Sequence, residues 1–339
     1  MENVTVSTIF LGKVELGMDH FVFNFFSDKK ETVVTNLSAY LGRNRLDVEK
    51  ALEYGCSVES FIDDLHLDLN ALDSSNVSII GRHVTTSAAN GICSIAEKGL
   101  LNLAQSIQED TPLSWFLKRH KIHIDVENKL FSYREKSISI EERKNVEHIC
   151  FMGRETACMW SFGCEAFQKL SVLGNKLYNL GATLEFFISG TLDQMLSYST
   201  VSKCPEILDT IDQLISAIWR PYATCTYPLC QNWIAKNPIC YVIEFEAKLT
   251  DMETYNPISY IDAYREISGC FKWSDITYDD YCERRIPQRV FDNRFLILST
   301  ISAIVYYSGE EYGSLLPGLS ISPEKLKIYE VANGQLVET

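Results

Sequence analysis

Residues 4–26 alternate hydrophobic and polar positions and then run aromatic. That period of two suits half-buried strands. Two strands meeting near Gly17 are expected there, with Phe21, Phe23 and Phe25 on one face. From Asn44 the period lengthens, and Leu46, Val48, Ala51 and Leu52 come round at helical spacing. Gly55 divides two helices, and DSSN at 73–76 reads as a linker. A strand over 77–85 follows, then a helix with Ser87 as its N-cap, running to Lys98 and stopped by Gly99.

Further on, TPLSWFLKRH predicts a short helix. KIHIDVENKLFSYREKSISI reads as a hairpin turned at Glu127-Asn128-Lys129, followed by a further strand-like piece. Helical stretches are expected over 154–180, 190–198 and 205–218, and strands at ATLEFFIS and at 238–249. The chain closes on a turn, a Ser-Pro start and a terminal strand, GLSISPEKLKIYEV. Strands and helices mix without βαβ regularity, which favours an α+β fold of mixed or antiparallel sheets with packed helices.

Composition narrows the class. The chain has 339 residues, 46% of them hydrophobic, enough for a sizeable core. No basic-then-apolar leader follows Met1. The longest apolar run, around Phe295–Tyr307, is interrupted by Ser299, Thr300 and Ser302 and is too short for a bilayer. A cytoplasmic protein with reduced thiols and no membrane partner is the expectation. The net charge is −14, and residues 1–75 hold half of it, 13 acidic against 6 basic. Those residues are expected to form an acidic N-terminal lobe, and 76–339 the functional domain. Such a charge opposes broad binding to nucleic-acid backbone but leaves room for a local basic groove.

The eleven cysteines contain no CxxC pair. A metal held by His148, Cys150, Cys158 and Cys164 is outweighed by burial of the last two in an apolar helical run, so no metal site is assigned. There is no GxxxxGK[ST] loop, no GxGxxG after a strand, no HExxH and no GxSxG. Their absence argues against a P-loop ATPase, a Rossmann dehydrogenase, a zincin or an α/β-hydrolase.

What remains is Arg82-His83-Val84-Thr85, at the end of the strand over 77–85. Alternation puts His83 and Thr85 on one face, an imidazole and a hydroxyl side by side that can bond a ribose diol. The helix that follows brings its N-terminal amides near anionic groups. Strand, His-x-Thr, helix and Lys98-Gly99-Leu100 together resemble the first motif of the ADP-ribosyltransferase superfamily, in its histidine–tyrosine–glutamate branch.

That resemblance implies cleavage of the nicotinamide–ribose bond of NAD and transfer of ADP-ribose to a protein or nucleic acid, as in a bacterial toxin or defence effector. His83 would then hold a ribose hydroxyl and Thr85 would support the cofactor. Tyr178 is the choice for the aromatic stacked on nicotinamide. Glu283 is the choice for the catalytic acid, ahead of Glu310, Glu311, Glu244 and Glu246. A fixed carboxylate stabilises positive charge on the sugar as the glycosidic bond breaks. Arg284 and Arg285 could hold pyrophosphate or target phosphate. Arg82 is grouped with the cofactor set, although alternation turns it to the opposite face, toward a carboxylate partner. The acidic lobe would bind an inhibitor or chaperone, or steer a basic target.

A second reading is a non-enzymatic interaction or regulatory subunit, suggested by the acidic N-terminus and five scattered tryptophans. A metal nuclease ranks last, because the acidic pairs are adjacent residues that do not share a face.

Overall fold

Aromatic alternation opens the described chain. The computed structural model describes residues 20–26, 30–53, 55–87, 91–140, 165–174, 177, 183–219, 228–253, 292–306 and 311–339. Phe21–Phe23 (β1) and Phe25–Phe26 (β2) are short strands. Phe23 stacks on Phe25 with centroids 5.8 Å apart, and Phe21 meets Tyr40 edge-on, so these phenylalanines share a face as alternation requires. Phe26 joins the apolar cluster on the other side.

Three helices follow, Lys30–Tyr40 (α1), Arg45–Ala51 (α2) and Val58–Asp64 (α3). Asn44 caps α2, and Ser57 with Ser60 forms a reciprocal capping box at α3. Leu46 departs from expectation: it is 62% exposed, while Val48, Ala51 and Leu52 take the core face. No helix was expected at α1, because four consecutive β-branched residues, Thr32–Thr35, mask the helical return of Val33, Leu37 and Leu41.

Val77–Ser87 (β3) is followed by Gly91–Lys98 (α4), Leu103–Gln108 (α5) and Pro112–Arg119 (α6). Ile122–Asp125 (β4), Leu130–Tyr133 (β5) and Lys136–Ser139 (β6) form the expected small antiparallel sheet. Next come Glu165–Gly174 (α7), Glu185–Gly190 (β7), Leu192–Ser197 (α8), Glu206–Trp219 (α9), Pro228–Ile234 (α10), Ile239–Lys248 (β8) and Met252–Glu253 (β9). Asn293–Ile301 (α11), Glu311–Leu315 (β10), Leu326–Ala332 (β11) and Gln335–Glu338 (β12) complete the described chain. Together these make an α+β architecture.

The main sheet runs β12-β11-β8-β3-β7-β10-β9. β3 and β8 pair antiparallel along their length, from Ser78 opposite Lys248 to Ser87 opposite Ile239. Between β3 and β7 the only paired residues are Arg82 and Phe187. On one side of that bridge β1 pairs with β3 and β2 with β7, both parallel, and fill the widening gap. On the other side the gap stays open, and the candidate site lies there.

One face of the sheet, with Ile79, Phe186, Ile243 and Phe245, packs on α1, α2, α3 and α11 through Leu37, Val48, Phe61 and Phe295. The expected lobe of residues 1–75 therefore has no core of its own in its described part: its strands belong to the main sheet and its helices share an apolar cluster with α11. A second core gathers α5, α6, α7, α9, α10 and the small sheet around Phe116, Phe131, Leu208 and Trp233. Cys204 and Cys230 are joined by a disulfide within it, which corrects the expectation of reduced thiols. No helix among the described residues is long and apolar enough to cross a membrane.

Candidate functional site

Past the Arg82–Phe187 bridge, β3 and β7 exchange a side-chain bond in place of a backbone one. His83 Nδ1 lies 2.9 Å from the carbonyl oxygen of Glu185. A carbonyl only accepts, so the neutral ring carries its proton on Nδ1 and keeps a lone pair on Nε2. Burial pushes the His83 pKa below its ordinary value of 6.5, more than the Glu185 carbonyl raises it. The imidazole is thus an oriented acceptor at neutral pH. Thr85, two residues on, shares its face.

Both residues line a cavity of about 260 Å³ that opens where the two strands separate. Its walls come from the end of β3, from Thr183–Glu185, from α4 to α6 and from the start of α9 with Trp233 of α10. It therefore sits between the sheet and the helical core. The Trp233 indole Nε1–H donates to Thr86 Oγ1 at 3.1 Å, tying α10 to β3.

Two glycines shape the wall. Gly91 opens α4 so close to Ser87 that a Cβ would lie 1.5 Å from the serine Oγ. Ser87, the expected N-cap, is the last, buried residue of β3, paired with Ile239; residues 88–90, between it and Gly91, lie outside the described residues. Gly99 has φ +83, and a Cβ there would meet the Ile321 carbonyl at 2.0 Å. The next residue, Leu100, exchanges backbone hydrogen bonds with Ile321 at 2.9 and 3.1 Å. Lys98-Gly99-Leu100 thus forms a pinned corner of the cavity wall.

The other expected residues fall as follows. Arg82 does not line the cavity. Its guanidinium lies buried on the opposite face, 2.9 and 3.0 Å from Glu244 Oε2 and over the Phe26 ring at 4.2 Å, so its place among the cofactor residues is corrected. Glu244 is accordingly occupied, with Lys327 also 4.0 Å away. Glu246 is exposed and bonds His20 at 2.5 Å. Glu311 is buried and accepts from Ser299 Oγ at 2.8 Å. Tyr178, Glu283, Arg284, Arg285 and Glu310 lie outside the described residues, as do His148, Cys150, Cys158 and Cys164.

Two acidic residues line the cavity, Glu185 and Glu206. Neither was singled out from sequence. Glu185 sits in an ordinary alternating strand, and Glu206 reads as a first-turn acid that suits a helix dipole. Trp233 carries no motif. Only the crossing of elements more than a hundred residues apart brings them to His83. Comparison with known protein families, with characterised proteins and with solved structures finds no match to this chain.

Proposed function

We propose that the protein is an NAD-consuming ADP-ribosyltransferase whose dinucleotide enters the cavity between β3 and β7. The observation that carries this is an acceptor imidazole, His83, held by a backbone carbonyl beside Thr85 at the edge of that cavity. His83 Nε2 would accept from one ribose hydroxyl, and the Thr85 hydroxyl would bond its neighbour. The first turn of α4, with Gly91 and Ser94 at the wall, would face the diphosphate. Apolar walls and the Trp233 indole suit a planar base. A volume near 260 Å³ lies at the small end of ligand sites and fits one nucleoside half rather than the whole dinucleotide.

The chemistry is displacement at the anomeric carbon. The C1′–N bond breaks, its electron pair leaves with nicotinamide, and the acceptor's nucleophile forms the new bond while giving up its proton. Positive charge builds on the ribose in between, and a fixed carboxylate stabilises it. Glu283 is proposed for that role from the resemblance; Glu185 and Glu206 are the acidic residues that line the cavity among the described residues.

NAD titration calorimetry and chromatographic detection of released nicotinamide test this. Wild type is expected to bind NAD, and His83→Ala to bind it about 10-fold more weakly, the loss of one well-made hydrogen bond. Failure of wild type to bind or cleave NAD in the presence of protein and nucleic-acid acceptors would sink the proposal.

A further inference from the structure

The C-terminal end of α6 carries a cluster of positive side chains on this acidic chain. Lys118 and Arg119 occupy the last turn of α6, His120 is its C-cap, and Lys121 follows. Arg134 is drawn alongside, its backbone N–H donating to the Lys121 carbonyl at 2.8 Å. From the second core Lys236 arrives just beyond α10, its ammonium 4.5 Å from the Phe116 ring centroid and 5.9 Å from that of Trp233. Among the described residues none of Lys118, Arg119, Lys121, Arg134 and Lys236 makes an ion pair. Their mutual repulsion is felt: after burial, Lys236 and Arg119 hold the His120 pKa down, and Arg119 does the same to Lys236.

Helix C-termini attract cations, and α6 and α10 both end here. Two such ends amount to only about one negative charge, far short of five cations. One turn before Arg119 on the same side of α6 stands Trp115, 56% exposed, its indole Nε1–H fixed by the Asp110 carboxylate. An ordered, uncovered aromatic beside unpaired cations is the arrangement that stacks an unpaired base and holds its phosphates.

We propose that this surface binds single-stranded nucleic acid, with a base on Trp115 and the backbone on Arg119 and Lys236. Its position gives it a purpose that rests on the transferase reading: the surface would present the acceptor strand. Helix α6 is about 12 Å long, and its first residues, Pro112 and Leu113, line the cavity while its last ones form the basic cluster. Trp233 likewise lines the cavity on one side and meets Lys236 on the other.

Fluorescence anisotropy with labelled oligo(dT) and oligo(U) of about 12 nucleotides tests the surface. Wild type is expected to bind, with affinity falling steeply between about 50 and 200 mM salt. Trp115→Ala and the double reversal Arg119→Glu/Lys236→Glu are each expected to weaken binding by about 10-fold or more. All these side chains are exposed, so circular dichroism should show both variants folded, and NAD affinity should be unchanged. Binding of only one oligonucleotide type would identify the acceptor as DNA or RNA and support the proposal. Absence of wild-type binding at low salt, or binding that survives both variants, overturns it. So does a Trp115→Ala variant that binds like wild type while heparin competes as well as the oligonucleotide, since the patch would then be an indifferent polyanion site. Oligonucleotide binding without NAD binding would sink the transferase reading and leave this surface standing.

Discussion

At the scale of single residues, the neighbours Arg82 and His83 are turned by strand alternation to opposite faces and opposite tasks. His83 titrates below 6.5 in the fold, so between its folded and unfolded values the unfolded chain binds the extra proton. Stability contributed by the neutral ring is therefore full above about pH 6.5 and falls as pH drops below it. Thermal melts between pH 7 and pH 5 should show wild type losing more stability than His83→Gln, which cannot titrate. Equal losses would mean the ring is not held neutral. Arg82 faces a different risk. Arg82→Met would strand the Glu244 carboxylate in a buried site with only Lys327 at 4.0 Å, at a cost of about 3–5 kcal/mol. Adding Glu244→Leu should restore most of it in urea titrations, and NAD affinity should follow neither change, because Arg82 lies across the sheet from the cavity.

At the scale of elements, the site depends on two strands failing to stay paired and on helices pinned around the opening. The disulfide from Cys204, just ahead of α9, to Cys230 in α10 clamps the wall that carries Pro205, Glu206 and Trp233. It closes a loop of 26 residues, worth about 3 kcal/mol by chain entropy. Reduction, or Cys204→Ala/Cys230→Ala, should lower the unfolding free energy measured in urea by that amount and weaken NAD binding; an unchanged free energy would mean the bridge carries no load. Elements with strong local signals were legible. β3, β8, the β4–β6 sheet, α6, α8 and α9 follow from alternation, helical spacing and caps such as Thr111 with Ser114 at α6. α1 was hidden by its Thr and Val run, and the pairing of Ser87 with β8 leaves no local trace in the sequence.

At the scale of the whole molecule, residues 20–76 and the C-terminal helix α11 are held by one core and by a polar clasp. Tyr40 donates to Asn293 at 2.5 Å, its pKa pushed up to about 12 by burial and by Asp73, while Asn293 donates to the carbonyls of Leu69 and Leu72. Deleting residues 1–75 would uncover Ile79, Phe186 and Phe245 and remove two strands from the sheet. The remainder is expected to lose cooperative thermal unfolding; a sharp transition from the shortened chain would restore the idea of an independent lobe. What the amino-acid order determined by itself is local: the strand bearing His83 and Thr85, the face they share, the glycine stop at Gly99 and the α+β class. These depend on periods of two and 3.6 and on backbone preferences that act within a few residues. The cavity was decided only by tertiary structure. Glu185, Glu206 and Trp233 meet His83 because β3 and β7 part after a single bridge and two cores close on the gap, and contacts across such distances along the chain leave no periodic trace in it.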